Sequence, residues 1–388
     1  MRLRVNIPQV DPTTMDAPEV CPYDDCDGEY FTPHQQHCEK PLRDPEYDQV
    51  NAKRWKCLQC GRTFRVYPEG VSEAERSDRL KAAGVMLYVL GVSYRGVEDF
   101  LTAFGYPVDH VTVYRDVQEA GKKARELREE WLEQAGRVKV VGGDPTHARC
   151  DGDDVVIGVA VDAQEGFILT IDVLENEQTE TLYQWLQPIL ELVDAEVLTT
   201  DDADAFKAVA DRAGVEHQIC RRHVTSNVLD FIAEAAEEMW EDPPDVPEEL
   251  EITADDVLED LERLEWTIIG HPEHGADLLK QLYFHYSAAP RPGKGERASI
   301  GYRMRNHVLH LWDNWKRLTR YRVLKHQEDL VIDATNNAAE RAIGWAVKER
   351  YRTMRGYKRQ ESILNVTGLT AWLIDQPHGY DMSPLFCS

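Results

Sequence analysis

Three carboxylates stand where acid side chains do metal chemistry. Asp144 follows an apolar run in Val-Gly-Gly-Asp-Pro-Thr, Asp201 closes another in Leu-Thr-Thr-Asp-Asp, and Glu340 opens a helix in Thr-Asn-Asn-Ala-Ala-Glu-Arg. Glu340 shares a helical face with Ile343 and Val347, so it is expected to point toward a sheet rather than into water. Such a carboxylate wants a counter-charge. With the basic residues of its own helix on other faces, the expected cation is a metal. Hard divalent ions such as Mg²⁺ take a few carboxylate oxygens plus water and phosphate. Two of them about 3.5–4 Å apart activate an attacking oxygen and stabilise a leaving one in phosphoryl transfer. Each acid also has a plain structural alternative: a turn or helix cap for Asp144 and Asp201, a helix N-terminal charge for Glu340. Asp202 competes with Asp201, which shares strand parity with Val197 and Thr199.

A second constellation lies in the first sixty residues. Cys21 and Cys26 form one pair; Cys57 and Cys60 form another, followed by Gly61. Four thiolates suit a tetrahedral Zn²⁺, and the polar stretch between the pairs is too poor in apolar residues to fold without a staple. Cys38, His34 and His37 are alternative ligands. Further on, Cys220-Arg-Arg-His223 offers half a metal site; orienting active-site groups, contacting DNA and simple buried packing are its other readings.

These groups need elements to hold them. Residues 73–120 read as three short helices, with Leu80, Leu87 and Leu90 on the first. Ser93 caps a second carrying Val97, Phe100, Leu101 and Phe104, and Asp109 caps a third with Val111, Tyr114 and Val117 inward. The tight break before the third suits a helix-turn-helix, with His110, Thr112 and Arg115 facing outward to DNA. A charged helical connector follows to residue 136. Strand-like runs at 138–141, 155–161, 167–173, 196–200 and 216–220 alternate, after the third, with helices at 179–193 and 204–213. That order predicts an α/β sheet of mixed direction. Residues 224–335 read as a helical insertion, and a last helix starts near Thr335.

Charge is distributed unevenly. The chain of 388 residues carries a net −26, with few lysines, a balance expected of a salt-adapted host. Between Arg291 and Gln360, however, seventeen basic residues face seven acidic ones. Arg341, Lys348, Arg352 and Arg355 would form one stripe on a persisting helix, placed to grip phosphates. Trp312, Trp315, Tyr321, Tyr351 and Tyr357 lie among them, to stack on bases or pack in a core. No apolar run approaches a membrane span, and the N-terminus lacks a signal-peptide core. A soluble cytoplasmic protein without membrane contact is expected.

The set Asp144, Asp201, Cys220-x-x-His223 and Asn336-Asn337-x-x-Glu340-Arg341 resembles the DDE transposases of prokaryotic insertion sequences, most closely the Mutator-like group. Lys56-Cys57-x-x-Cys60-Gly-Arg-x-Phe64 and Ser93-Tyr-Arg95 resemble the zinc ribbon and helix-turn-helix such enzymes carry in front. The resemblance covers about residues 20–375. It implies a zinc ribbon over 1–70, a helix-turn-helix over 71–120, a connector over 121–136, and a ribonuclease H-like catalytic domain over 137–375. The helical insertion lies inside that domain, and a tail over 376–388 follows it. It further implies Asp144, Asp201 and Glu340 as catalytic ligands of two Mg²⁺ or Mn²⁺ ions, and a structural Zn²⁺ on the four cysteines. Arg115, Arg341, Lys348, Arg352 and Arg355 would contact double-stranded DNA, both transposon ends and target, in a homodimer or larger assembly. The implied activity is 3′-end cleavage and strand transfer. A non-catalytic DNA-binding regulator derived from a transposase is the alternative, and a structure-selective nuclease the third reading.

Overall fold

The computed structural model describes every residue except 1–2, 14–16, 135, 242–249, 251, 328–330, 355 and 387–388. After a short strand β1 (Val5–Asn6) come β2 (Phe31–Pro41), β3 (Gln49–Cys57) and β4 (Thr63–Val66), an antiparallel sheet in that order. Its apolar content is slight. Phe64 packs edge-on to Phe31 at 5.3 Å beside buried Cys21 and Cys57, and a separate group joins Val10, Leu42, Val50 and Val71.

Helices α1 (Asp78–Val89), α2 (Tyr94–Ala103) and α3 (His110–Gln134) follow. Ser93 Oγ accepts the N–H of Gly96 at 3.0 Å and Asp109 Oδ1 that of Val111 at 2.7 Å, so both expected caps form. The inward stripes differ from the expected ones. Val97 and Leu101 of α2 are buried, while Phe100 and Phe104 turn outward and lie against each other at 4.7 Å. On α3 the buried line runs through Val113, Val117, Ala120 and Ala124, leaving Val111 exposed, and Leu90 is exposed beyond α1. On α2 the i, i+4 pair Val97 and Leu101 is the one that packs over Gly84 of α1. The third helix and the charged connector are one continuous helix. Its middle crosses a later helix, α13 (Gln360–Asp375), so closely that a Cβ on Gly121 would meet the carbonyl oxygen of Asn365 at 2.3 Å.

The central sheet is built from β5 (Val140–Cys150), β6 (Asp153–Asp162), β7 (Ile168–Leu174), then α4 (Thr179–Leu192), β8 (Val197–Thr200), α5 (Asp204–Ala213) and β9 (Glu216–Ile219). Strand order is β7-β6-β5-β8-β9, antiparallel through β7, β6 and β5, and parallel from β5 to β8 to β9. The expected mixed α/β sheet is present. Two hairpins cost little loop; each parallel step needs a crossover helix, which α4 and α5 supply. These helices cover one face through Leu182, Leu186 and Phe206 against Val141 and Leu198.

Helices α6 (Arg221–Glu241), α7 (Ala254–Gly270), α8 (Gly275–Tyr286), α9 (Ile300–Leu318) and α10 (Arg320–Gln327) form the insertion, with a core of their own around Phe231, Leu264, Tyr286 and Met304. The chain then returns to the sheet in α11 (Asn337–Ala342), a π-helical turn over Ile343–Lys348, and α12 (Glu349–Tyr351). This is not the last helix. That place belongs to α13 (Gln360–Asp375), whose apolar residues are buried on several sides and whose Asp375 pairs with buried Arg128 at 2.8 Å. A final strand β10 (Tyr380–Asp381) pairs in parallel with β1, and Met382 and Leu385 are buried, so residues after 376 join the core. Among the described residues no helix is long and apolar enough to cross a membrane.

Gly121→Val drives two methyls and a Cβ into the α3–α13 crossing. Overpacking of this kind costs about 1–3 kcal/mol, and the expected result is a lower unfolding midpoint by calorimetry. An unchanged midpoint contradicts the crossing.

Candidate functional site

Strand alternation explains how two of the acids meet. Val140 of β5 pairs with Val197 of β8, and both face a small core with Leu324 and Ile332. Side chains two and four positions on lie on the same face. Gly142 pairs with Thr199, and continuing the register two residues brings Asp144 beside Asp201. Asp144 therefore lies inside β5, which runs on to Cys150, rather than after the strand as the sequence suggested.

Glu340 arrives through Asn336. The Asn336 side chain donates Nδ2–H to the carbonyl of Gly143 at 3.0 Å, and its backbone N–H to Cys220 Sγ at 3.3 Å. Its Oδ1 lies 2.9 Å from where a Cβ on Gly142 would stand, so the missing side chain at 142 admits it. Next to it, the N–H of Arg221 bonds the carbonyl of Ala334 at 2.8 Å, and that of Cys220 the carbonyl of Thr200 at 2.7 Å. These bonds tie the ends of β8 and β9 and the start of α11 to β5. One turn along, the N–H of Glu340 bonds the Asn336 carbonyl at 3.1 Å, which sets Glu340 over the same strands.

The electrostatics follow from that crowding. Burial, then the charges of Asp201 and Glu340, push the Asp144 carboxyl up to about 7, against the pull of Lys348. Asp202 takes another course. It meets Lys207 at 2.9 Å and His310 at 2.6 Å, and these partners hold its carboxyl below the ordinary range despite burial. Of the two neighbours, Asp201 is the one whose charge acts on Asp144.

Glu340 does have a cationic partner, contrary to expectation: Arg222 Nη1 lies 3.1 Å from Oε2. The sequence placed it out of reach because it belongs to another helix. Oε1 is different. It is buried without a hydrogen bond, with His223 Nε2 at 3.4 Å but out of line. An orphaned buried carboxylate oxygen, next to an acid whose ionisation two others oppose, fits a hard divalent cation. Asp144, Asp201 and Glu340 would hold it. Among the described residues these three do not bring ligand atoms all within 4.8 Å of one another, whereas Cys220, His223 and Glu340 do.

The four N-terminal cysteines come together as expected. Cys21 and Cys60 sulfurs are 3.9 Å apart, Cys26 and Cys57 sulfurs 3.8 Å, and all four lie within 4.8 Å. A tetrahedron with Zn–S near 2.3 Å has edges of about 3.8 Å, so the donor set fits zinc. A Cβ on Gly28 would stand 2.7 Å from Cys57 Sγ, which only glycine avoids. Gly61, at φ +73°, makes the turn after Cys60. Arg62 Nε donates to Cys60 Sγ at 3.5 Å and draws that thiol down to about 6. Cys38, His34 and His37 stay on β2, outside the cluster.

The basic stripe is only partly realised. Arg341, Lys348 and Arg352 are exposed, but the π turn shifts the helical phase after Ala342 and α12 stops at Tyr351. Arg355 lies outside the described residues. Of the three, Lys348 acts on Asp144. Arg115 is exposed near the start of α3, while His110 turns its Nδ1 to Glu98 at 2.9 Å instead of outward. Trp315 and Tyr357 are buried, and Tyr351 accepts the N–H of Arg149, so these aromatics serve packing. Arg222 and the bonds of Asn336 are what sequence reasoning missed; the adjacent Arg-Arg and Asn-Asn pairs were the available signal.

No protein-family model matches the chain, and no curated protein does. Among solved structures it is similar to the HTLV-2 integrase catalytic core domain in complex with magnesium, at 20% identity over 34% of this chain and 86% of that one, with a TM-score of 0.20. It is also similar to the catalytic core domain of BIV integrase, at 15% identity over 45% and 97%, with a TM-score of 0.18. Likenesses of this size decide nothing further about the chain.

Asp144 has its own pH signature. The folded chain keeps its proton up to about pH 7, while the unfolded carboxyl loses it near the ordinary 3.8. The stability this gives is full below the unfolded value and drains away as pH rises through 7. In buffer without added divalent ions, Asp144→Asn should raise the unfolding midpoint, and more at pH 8 than at pH 5. A gain independent of pH contradicts the crowding of the three acids.

Proposed function

We propose that the chain is a DDE transposase of the Mutator-like kind, which binds the terminal repeats of an insertion sequence and performs 3′-end cleavage and strand transfer. The observation that carries the reading is Asp144, half-buried on a central strand with the charges of Asp201 and Glu340 bearing on it. Three acids from strand, strand and returning helix suit phosphoryl transfer better than any packing role, because burying like charges without a cation is costly. In this reading Asp144, Asp201 and Glu340 hold two Mg²⁺ or Mn²⁺ ions. When bound, these ions activate the attacking oxygen, first of water and then of a 3′-hydroxyl, and stabilise the leaving one.

The chain's own residues orient and neutralise. Arg222 grips Oε2 of Glu340 and leaves Oε1 without a hydrogen bond. Asn336 holds the helix start in register. Lys348, exposed beside Asp144, offers a phosphate a positive charge. Arg341 and Arg352 extend that surface. The four-cysteine sheet is proposed as a zinc ribbon over 1–70 and the three helices as a helix-turn-helix over 71–120, with Arg115 reading an end. Residues 137–375 would be the ribonuclease H-like catalytic domain, acting as a dimer or larger assembly on two DNA ends. The acidic remainder of the surface is assigned to a salt-adapted host.

Two measurements test this. On a duplex carrying the element's end, with Mg²⁺, Asp144→Asn and Glu340→Gln should each cut cleavage more than about a hundredfold. Cleavage retained by Asp144→Asn removes the active site, and DNA binding without cleavage by the native chain installs the regulator instead. Arg115→Ala should weaken binding to the end by about 1–3 kcal/mol if it contacts a base, read by titration at constant salt. Equal affinity for end and unrelated duplex in both proteins removes the recognition role.

A further inference from the structure

Cys220 and His223 remain without a task in the proposed reaction, yet the fold delivers them to Glu340. Sγ of Cys220, a nitrogen of His223 and a carboxylate oxygen of Glu340 all lie within 4.8 Å of one another. The His223 Nε2 to Glu340 Oε1 separation of 3.4 Å is close to the edge of a tetrahedron with metal–ligand bonds near 2.0–2.1 Å. Three further observations point to a ligand here. Glu340 Oε1 is buried and unpaired, and so is His223 Nδ1. Cys220 is fully buried, and its sulfur takes the N–H of Asn336 at 3.3 Å, a bond that steadies a metal-bound thiolate. Arg222 occupies Oε2 of Glu340 and so presents Oε1 to the other two ligands.

We infer that Cys220, His223 and Glu340 form a second transition-metal site, suited to Zn²⁺, whose occupation withdraws Glu340 from the Mg²⁺ set. The inference rests on the proposed reaction only for its consequence; the site itself stands on these three side chains. Sulfur and imidazole select zinc over magnesium, which prefers oxygen throughout. One Cys, one His and one carboxylate leave a fourth position open to water, unlike the closed four-cysteine cluster. Binding releases the Cys220 thiol proton to solvent and leaves both of its electrons on the sulfur that ligates the metal. Glu340 Oε1 would then be held by zinc and withheld from the ions that Asp144 and Asp201 would bind. Zinc at this site acts as a brake set by free-metal level.

The test uses the full chain and Zn²⁺ alone. After exposure to a small molar excess of Zn²⁺ and removal of unbound metal, atomic emission should give two zinc ions per native chain. Cys220→Ala and His223→Ala should each give one. Co²⁺ substitution of the native chain adds a control that needs no variant: the thiolate-to-metal absorption should reflect five sulfurs rather than four. One metal per native chain with four sulfurs, or two retained in both variants, overturns the site. In the cleavage assay with Mg²⁺, Zn²⁺ should inhibit the native protein, and Cys220→Ala should need roughly tenfold more zinc or beyond for half-inhibition. Equal inhibition of both overturns the withdrawal of Glu340. A native chain that binds the second zinc but never cleaves DNA keeps the metal site and rejects the transposase reading, so the two failures are distinct.

Discussion

Like charge held together in a partly buried place is the constraint around which this protein is arranged. Burial and the charges of Asp201, at the end of β8, and Glu340, on α11, raise the cost of ionising Asp144 on β5, which keeps its proton to about pH 7. Nothing in that trio favours the arrangement electrostatically. It persists because covalent geometry and hydrogen bonds elsewhere leave little choice. Parallel pairing sets the first two acids side by side, and the Asn336 bonds to Gly143 and Cys220 anchor the third. Arg222 and Lys348 offset part of the charge from outside. Holding such a strain ready is how a site prefers a divalent cation and the phosphates that come with it.

The N-terminal helices are not a loosely tethered module. Arg350 of α12 stacks over Tyr88 of α1 at 4.0 Å and reaches the carbonyl of Val92, so the segment just after Glu340 touches the start of the three-helix unit. The α3 helix continues unbroken from that unit into the crossing at Gly121, where it shares a core with α13. The buried Arg76–Asp116 pair, at 2.7 Å, ties the residue before α1 to the same helix. The first turns of α3, where the proposed function puts a DNA end, and the crossing at Gly121 thus belong to one continuous helix.

Much of the fold was legible where the signal is local. Ser93 and Asp109 announced their helices, the helix from Asp204 to Ala213 was readable residue for residue, and strand, strand, strand, then helix and strand in turn predicted the mixed sheet. The paired cysteines likewise declared their cluster, because two tight turns bearing two sulfurs each admit few other purposes. Where several faces of a helix were apolar, pattern alone misled. Of the four apolar residues on the second helix, Val97 and Leu101 face inward while Phe100 and Phe104 are surface. The basic stripe failed for a related reason, as a single π turn rotates everything beyond Ala342.

The amino-acid order by itself determined the kinds of group available and the local elements that carry them: acids beside apolar strand runs, thiols in knuckles, a helix opening with Asn-Asn and reaching Glu340. Alternation and capping act over a few residues, and so can be read from a line of letters. Which groups face each other was decided only by the folded chain. Arg222 meets Glu340 across 118 positions, and Cys220 comes within reach of the same carboxylate because Asn336 fits over a glycine that lacks a Cβ. Contacts of that range depend on the packing of whole elements, which no short stretch of sequence encodes.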